Sequence, residues 1–295
     1  MSQYKSGFVA VVGRPNVGKS TLLNTLLGQK IAIVSNKPQT TRNTIQAVLS
    51  KDAGQIVFLD TPGIHRPVHK LGEYMVKAAR LALKEVDAVC MLVDIQGWRK
   101  SDDYILTELK SAETPVILVT NKMDLVSQSK QEEFREEVSA KYNFASIIPI
   151  SAMNKENLEL LVGTLFEYLP EGPQYYPDDW ITDHPERFVI AEFIREQILL
   201  HTEEEVPHSV AVDIDQMKEN PRKAIISIRA TIYVERDSQK GIIVGKGGLM
   251  LKKIGTGSRI QIEVLLGAKV FLDLWVKVKK DWRDKPGSLH ELGYQ

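Results

Sequence analysis

Short apolar runs alternate with polar stretches of helical pattern along the first 169 residues. The runs cover residues 8–12, 44–49, 55–59, 88–93, 115–120 and 147–150. Strands separated by helices in this rhythm are typical of an α/β domain, in which a largely parallel sheet carries helices on both faces. Because ligands of such sheets lie beyond the carboxyl ends of the strands, we expect the functional residues directly after the apolar runs.

A proline-rich stretch separates this region from the rest of the chain. Residues 170–179 contain three prolines and one glycine, which exclude a helix or a central strand there. We therefore predict a first domain over residues 1–170, a linker over residues 171–184 and a second domain over residues 185–295.

The second domain shows a different order of elements. A helix, two strands, a helix, a glycine-rich turn, a helix and a strand are predicted over residues 188–199, 209–214, 224–234, 240–244, 245–248, 249–254 and 268–278. This order indicates a smaller α+β domain after the α/β domain.

Charge is unevenly distributed, although the whole chain has a net charge of zero. From Lys218 to the C-terminus there are sixteen Lys and Arg against eight Asp and Glu, a net charge of +8, so the remainder carries −8. The asymmetry indicates that the C-terminal part meets an anionic partner.

The sequence also indicates the compartment. The single cysteine, Cys90, lies inside an apolar run, which predicts a buried and unreactive thiol. There is no secretory signal pattern and no run of 18 apolar residues, so we expect a soluble protein of a reducing compartment.

Residues 13–20, with the sequence GRPNVGKS, contain the most specific chemical motif. They follow an apolar run and precede a leucine-rich helical stretch, which is the context of the phosphate-binding loop G-x-x-x-x-G-K-[S/T]. Gly13 and Gly18 permit close backbone approaches, so that successive N–H groups can surround phosphate oxygens. Lys19 is predicted to reach the β- and γ-phosphates, and the Ser20 hydroxyl to bind Mg²⁺. The predicted nucleotide-binding residues of this loop are Gly13, Asn16, Val17, Gly18, Lys19, Ser20 and Thr21.

Two further segments supply candidate contacts to the metal and the γ-phosphate. Thr41, beside Thr40 in a polar segment, is predicted to be the second protein ligand of Mg²⁺ while the γ-phosphate orders the loop. Asp60 follows the third apolar run and can hold Mg²⁺ directly or through water, and the N–H of Gly63 can contact the γ-phosphate. The predicted metal ligands are thus Ser20, Thr41 and Asp60.

Residues after the last two apolar runs of the first domain indicate guanine recognition. The Asp124 carboxylate can accept hydrogen bonds from the guanine N1–H and 2-amino group, and adenine has neither donor. Asn121 is expected to brace the loop, and Lys122 to lie over the base. A backbone N–H of the segment Ser151, Ala152 and Met153 is expected to reach the guanine O6.

Together these motifs resemble the GTPases of the translation-factor class. Where related switches carry a glutamine that orients the attacking water, this chain has Ile64, so we expect slow intrinsic hydrolysis. The resemblance also makes Asn16 a candidate for holding K⁺ near the phosphates, which would supply positive charge there. The predicted catalytic residues are Lys19, Thr41, Gly63 and Asn16.

The glycine-rich turn of the second domain has the G-x-x-G pattern of a KH domain. Such a loop clamps about four backbone nucleotides of single-stranded RNA, because its glycines let the sugar-phosphate backbone come close. The apolar residues around it and the net charge of +8 support this interpretation over an ordinary turn between helices. The predicted RNA-binding residues are Gly245, Lys246, Gly247, Gly248, Lys252 and Lys253.

Over its whole length the chain resembles the Era-like family of GTPases with a C-terminal KH domain. The matching motifs are GRPNVGKS, QTTR, DTPGIH, NKMD, SAM, the proline-rich linker and VGKGG. The resemblance implies a GTP-loaded state that binds the 3′ end of small-subunit ribosomal RNA and assists assembly of the small ribosomal subunit. It also implies a cytoplasmic protein with some peripheral association at the inner face of the cell membrane, and we expect a monomer.

The resulting prediction is a switch in which GTP and Mg²⁺ order the loops around Thr41 and Asp60 and thereby alter RNA binding. One alternative is a constitutive RNA-binding scaffold whose nucleotide is structural. Another is GTP-dependent RNA modification, for which the sequence offers no further catalytic constellation.

Overall fold

A computed structural model of the chain describes residues 4–35, 37, 40–62, 69–110, 114–220 and 224–294. The chain divides into two compact units. The first comprises Met1–Ala32, Thr41–Arg66 and Met75–Asp183, and the second comprises Ile33–Thr40, Pro67–Tyr74 and His184–Gln295. The units follow the order of the predicted domains, except that two segments of the N-terminal part belong to the second unit. The predicted boundaries at residues 170 and 184 stay a prediction.

The first unit contains one six-stranded sheet. Its strands are β1 (Lys5–Val12), β2 (Ile45–Lys51), β3 (Gly54–Asp60), β4 (Ala88–Asp94), β5 (Val116–Asn121) and β6 (Ser146–Ile150). They lie in the order β2-β3-β1-β4-β5-β6, with β2 antiparallel to β3 and the other neighbouring pairs parallel. The predicted α/β domain with a largely parallel sheet is therefore confirmed.

Helices cover both faces of this sheet. They are α1 (Lys19–Leu27), α2 (Lys70–Ala82), α3 (Lys100–Leu109), α4 (Gln128–Ser139) and α5 (Leu158–Tyr168). Only the part of α2 from Met75 onward belongs to this unit. The strands β3, β4 and β5 are buried along their whole length, as expected for continuous apolar runs covered on two sides. Cys90 lies on β4 without exposed surface, which confirms the predicted burial, and this burial raises the pKa of its thiol to about 12.

The carboxyl ends of the parallel strands meet at one edge of the sheet, and the motifs follow them there. β1 leads into the phosphate loop, β3 ends at Asp60, β5 ends at Asn121, and β6 is followed by Ser151. Asp94, at the end of β4, lies at the same edge.

The second unit is a three-stranded sheet with helices packed against it. Its elements are α6 (Glu186–His201), β7 (Ala211–Asn220), β8 (Ile225–Val234), α7 (Asp237–Val244), α8 (Leu249–Leu266), β9 (Lys269–Val278) and α9 (Pro286–Glu291). The strand order is β7-β8-β9, with β7 antiparallel and β9 parallel to β8. Its core is formed by apolar residues of α6, α8 and the inner sheet face, among them Phe193, Ile232 and Ile254. The predicted α+β order is confirmed.

The proline-rich segment packs on the first unit. Glu171 forms an isolated antiparallel bridge with Lys5, and the ring of Tyr175 lies 5.1 Å from that of Phe8. The hydroxyl of Tyr176 donates to Gln46 Oε1 at 2.9 Å. In the part of the chain that the structure describes, no helix is long and apolar enough to cross a membrane.

Candidate nucleotide site and RNA-binding cleft

The phosphate loop requires glycine at two positions. Gly13 has φ +156°, and a Cβ there would lie 2.5 Å from the carbonyl oxygen of Leu92. Gly18 has φ +102°, and a Cβ there would lie 2.2 Å from Nδ2 of Asn121. Asn16 also adopts a positive φ, 68°, which is uncommon for a residue with a side chain. The loop is therefore wrapped against β4 and the NKMD segment by close backbone packing.

Lys19 begins α1 and is buried beneath the loop. Its Nζ donates to the carbonyl oxygens of Gly13 at 2.9 Å and Arg14 at 3.3 Å. Burial lowers the pKa of Lys19, and the nearby Asp60 carboxylate acts in the opposite direction. The ammonium group is thus held at the mouth of the loop, where the phosphates of a nucleotide would strengthen its charged form.

The three predicted metal ligands lie together. Oδ2 of Asp60 accepts a hydrogen bond from Ser20 Oγ at 3.2 Å and from Thr41 Oγ1 at 3.3 Å, and the two hydroxyl oxygens are 3.4 Å apart. Burial raises the pKa of the Asp60 carboxyl to about 6, although Lys19 lowers it. Oδ1 of Asp60 is buried and has no hydrogen-bond partner among the described residues. A cluster of oxygen atoms with an unpaired carboxylate oxygen fits a hard divalent cation such as Mg²⁺.

Asn121 joins three loops through one side-chain amide. Its Nδ2 donates to the carbonyl oxygen of Val17 in the phosphate loop at 2.7 Å. Its Oδ1 accepts the N–H of Lys122 at 2.8 Å and the N–H of Ala152 at 3.0 Å. This is the bracing role that the sequence predicts for Asn121.

Lys122 is anchored by a carboxylate that the motif analysis missed. It adopts φ +70°, and its Nζ donates to Oδ2 of Asp94 at 2.7 Å. Burial acts to raise the pKa of Asp94, but the hydrogen bonds from Lys122 and from the N–H of Gln96 outweigh it and the pKa is lowered. The available signal was the position of Asp94, directly after an apolar run at the same sheet edge as the other site residues.

The other residues predicted to bind guanine differ in their exposure and in their hydrogen bonds. Asp124 is exposed in a short 3-10 turn. An unpaired carboxylate is costly only where water is excluded, so Asp124 can discriminate against adenine only when a bound base shields it from water. Ser151 is buried and accepts the N–H of Asn154 at 3.1 Å, while Met153 is 77% exposed. The N–H of Ala152 already donates to Asn121, so a guanine O6 would have to share this donor.

Thr21 and Gly63 are also among the predicted nucleotide-binding residues. Thr21 lies in the first turn of α1, where its carbonyl accepts the hydroxyl of Thr25 at 2.8 Å. Gly63, and Ile64 after it, lie outside the described residues.

The glycine-rich turn of the second unit joins α7 to α8. Gly245, Gly247 and Gly248 all have positive φ, between 59° and 79°. A Cβ at Gly245 would lie 2.7 Å from the Cβ of Met250, whereas one at Gly247 would meet no atom within 4 Å in the part of the chain described. The turn therefore presents an uncovered backbone directly before the N-terminus of α8, the arrangement that a phosphate backbone can approach.

A cleft runs from this turn between α8 and β9. Its volume is about 330 Å³, and it is lined by Gly248, Leu251, Lys252, Gly255, Thr256, Arg259, Leu272, Asp273 and Leu274. Lys252 thus lies in the cleft wall, and Lys253 is exposed outside this lining. The G-x-x-G motif did not indicate Arg259, Thr256 or Asp273 as cleft residues. Thr256 and Arg259 could have been recognised from their helical spacing, which places them on the same face of α8 as Lys252.

Comparisons with known proteins agree with this architecture. The family described as 50S ribosome-binding GTPase matches residues 8–122, and the KH domain family matches residues 205–283. Fold and site thus define a P-loop GTPase joined to a KH domain.

The match to particular relatives extends over both units. GTPase Era of Staphylococcus haemolyticus (strain JCSC1435) is 52% identical over 296 residues, which cover 100% of this chain and 98% of that protein. The crystal structure of a single-residue variant of Aquifex aeolicus Era bound to GDP and AlF₄⁻ has a TM-score of 0.95 and 43% identity, covering 98% of this chain and 99% of that one. Era in complex with MgGDPNP and nucleotides 1506–1542 of 16S ribosomal RNA also has a TM-score of 0.95 and 43% identity, covering 99% of both chains. The chain belongs to the Era family and is a GTPase, as the sequence predicted.

Proposed function

We propose that this chain is a GTP-dependent switch that binds the 3′ end of small-subunit ribosomal RNA and assists assembly of the small ribosomal subunit. The observation that carries the proposal is the relative in complex with MgGDPNP and 16S ribosomal RNA, which matches both units of this chain at a TM-score of 0.95. That relative holds a nucleotide and an RNA at the same time, and this chain has candidate sites for both.

The cleft between α8 and β9 is the proposed RNA site. The glycine-rich turn offers backbone N–H groups and space for phosphates, and Lys246, Lys252 and Arg259 supply positive charge along it. The partly buried Leu272 and Leu274 give the cleft an apolar floor on which bases can lie. A short single strand of about four nucleotides fits this combination.

In the nucleotide site, Ser20 and Thr41 are the proposed direct ligands of Mg²⁺, with Asp60 bound directly or through water. Mg²⁺ supplies charge that neutralises the phosphate oxygens during transfer of the γ-phosphoryl group to water. Lys19 would hold the β- and γ-phosphates, while the N–H of Gly63 would contact the γ-phosphate. Asp124 would accept from guanine, with Lys122 held over the base by Asp94.

K⁺ is proposed as a further cofactor because the family resemblance makes Asn16, which has φ +68° in the phosphate loop, a candidate to hold it. Ile64 cannot orient water, so a monovalent cation beside the phosphates would supply catalytic charge in place of a polar side chain. Replacing K⁺ with Na⁺ should lower kcat for wild type and have no effect on Asn16→Ala. Equal wild-type rates in the two salts would remove K⁺ from the proposal.

The central experiment measures GTP hydrolysis with and without an RNA oligonucleotide from the 3′ end of small-subunit ribosomal RNA. We expect strong stimulation of wild type and its loss in Gly247→Asp. Asp should be tolerated by the fold at this position, because a Cβ meets no described atom there and Asp adopts positive φ more readily than most residues. Gly267→Asp, after the far end of α8, is the matched control, because Gly267 also has a positive φ, +60°, and a Cβ there meets no described atom within 4 Å.

Two other outcomes have defined meanings. RNA binding that is equal with GTP and GDP, together with negligible turnover, would favour a constitutive scaffold with a structural nucleotide. Slow hydrolysis that RNA does not change would leave a GTPase whose activator is another molecule.

The proposal extends to where in the cell the protein acts. We propose a cytoplasmic monomer with peripheral association at the inner face of the cell membrane, an association supported only by the family resemblance. Co-sedimentation with vesicles containing anionic lipids tests it, and equal sedimentation with and without vesicles would contradict it.

A further inference from the structure

The segment directly before Thr41 belongs to the second unit. Residues 33–40 belong to that unit, whereas the first unit resumes at Thr41. Ile33 is 1% exposed and is a member of the apolar core formed by α6, α8 and the second sheet. The candidate metal ligand Thr41 is therefore joined by one peptide bond to a residue that the second unit holds.

Two adjacent residues of α6 hold this segment at both ends. Arg195 donates through Nη2 to the carbonyl oxygen of Thr40. Glu196 accepts the N–H of Val34 through Oε1 at 2.8 Å. The side chains of Arg195 and Glu196 are almost fully buried, so these bonds are shielded from water.

Arg195 is held in a fixed orientation by a second partner. Its Nε donates to Glu192 Oε1 at 2.8 Å and its Nη2 to Glu192 Oε2 at 2.5 Å, a bidentate pair within α6. Burial lowers the pKa of Arg195, but the charge and hydrogen bonds of Glu192 outweigh it and the pKa is raised. A permanently charged guanidinium that is held by a bidentate pair is a rigid hydrogen-bond donor. It therefore restricts the position of the Thr40 carbonyl that accepts from it.

The same helix is connected to the RNA cleft. Oε2 of Glu196 accepts a hydrogen bond from Nε2 of Gln261 on α8 at 2.9 Å. α8 begins at the glycine-rich turn and carries Lys252 and Arg259 in the cleft wall. One carboxylate of α6 therefore bonds the segment before Thr41 through one oxygen and the RNA-binding helix through the other.

We propose that Arg195 and Glu196 are positioning residues for GTP hydrolysis. Arg195 fixes the Thr40 carbonyl so that the Thr41 hydroxyl reaches Ser20 and Asp60, and Glu196 transmits the position of the segment to α8. Two hydrogen bonds of the structure support this proposal: the one from Arg195 to the Thr40 carbonyl, and the one from Thr41 Oγ1 to Asp60 at 3.3 Å. Both parts of this inference rest on the proposed function, the first on Thr41 as a ligand of Mg²⁺ and the second on RNA binding in the cleft.

Because Thr41 is a proposed ligand of Mg²⁺, loss of Arg195 should lower kcat more than it raises KM. We expect kcat of Arg195→Ala without RNA to fall by about tenfold or more, with KM for GTP within about threefold of wild type. Arg195→Lys, which keeps a cation, should restore part of the rate. Arg187→Ala is the matched control, since Arg187 also lies on α6 and donates to a carbonyl, that of Ile214 at 3.3 Å, which is remote in sequence from the segment.

Removing one partner of a buried ion pair can unfold a protein, so a second variant is needed. Arg195→Met combined with Glu192→Leu removes both charges of the ion pair and leaves the net charge of the interior unchanged, a change that is often well tolerated. It should show the same loss of kcat with native circular dichroism. If this double variant hydrolyses GTP at the rate of Arg187→Ala, Arg195 does not position Thr41.

The link to α8 is tested by the ratio of RNA affinities with GDPNP and GDP. In Glu196→Ala that ratio should move toward one, while the RNA affinity of the GDP form stays within about threefold of wild type. A wild-type ratio retained in Glu196→Ala would overturn this part. A wild type that binds RNA in neither form would refute the proposed function instead, and the RNA-free kcat of the Arg195 variants would still decide the role of Arg195.

Discussion

A neutral residue in place of Asp60 should stabilise the first unit when Mg²⁺ and nucleotide are removed. The Asp60 carboxyl has no exposed surface, and its Oδ1 lacks a hydrogen-bond partner among the residues described. Two hydroxyl donors and Lys19 only partly compensate for this burial. Asp60→Asn keeps the shape of the side chain and removes the charge, so it should relieve the unfavourable burial while destroying the metal site.

The magnitude follows from the pKa of Asp60. Burial raises it from 3.8 to about 6, and a shift of about 2 units corresponds to ~3 kcal/mol of preference for the neutral form. The folded pKa lies above the unfolded one, so the ionised carboxyl has no effect on stability below pH 3.8 and destabilises progressively as the pH rises through about 6. The attraction of Lys19 is already contained in this shift. Asp60→Asn should therefore be more stable than wild type by up to ~3 kcal/mol at pH 7.5, by about half of that at pH 5, and by little near pH 4.

Hydrogen–deuterium exchange of the slowest amides in β1 and β4 measures the opening free energy of this unit separately from the other one. The samples should contain EDTA and no nucleotide. Asp124→Asn, which neutralises an exposed carboxylate of the same site, should show no pH-dependent gain. A variant Asp60→Asn no more stable than wild type at pH 7.5, or a difference that is constant between pH 4 and 7.5, would refute the reasoning.

Three other outcomes are expected in the same unit. Gly18→Ala should abolish binding of fluorescently labelled GDP, because its Cβ would lie 2.2 Å from Nδ2 of Asn121 and φ is +102°; tight binding would show that the loop can shift. Asp94→Asn should weaken GDP binding by about tenfold, since Lys122 loses a charge-assisted hydrogen bond, and calorimetry would measure it. Cys90, with a thiol pKa of about 12 and no exposed surface, should react with a thiol reagent at pH 8 only after unfolding, so fast labelling of the native protein would contradict its burial.

Much of this fold follows from local patterns in the sequence. The runs at residues 88–93 and 115–120 are continuous rather than alternating, because β4 and β5 are covered on both faces, and this burial makes them recognisable. The phosphate loop is equally predictable, since its glycines are required by backbone contacts that a Cβ would break.

Other contacts depend on which strands and cores lie together in the fold, and no local sequence pattern contains this information. Asp94 becomes a site residue because β4 lies beside β5 in the sheet, which brings its carboxylate to Lys122 across 28 positions of sequence. Ile33 precedes the switch residue Thr41 yet packs in the core of the second unit, and its apolar side chain gives no sign of which core it enters. Such assignments follow from tertiary packing, and one sequence cannot supply them.

The geometry of Asp60 supports the proposed action of the nucleotide on the second unit. A buried carboxylate with an unpaired oxygen disfavours the metal-free site, so Mg²⁺ gains free energy there that it would not gain on the surface. Oδ2 of that carboxylate accepts the hydroxyl of Thr41, and in the proposed site Mg²⁺ would bind both side chains and hold Thr41 in place. Thr40, the next residue toward the N-terminus, is held by Arg195 in the second unit. On the proposed coupling, a ligand that favours one position of Thr41 would also favour one position of the segment that Arg195 holds, and RNA that favours the same position would in turn favour GTP.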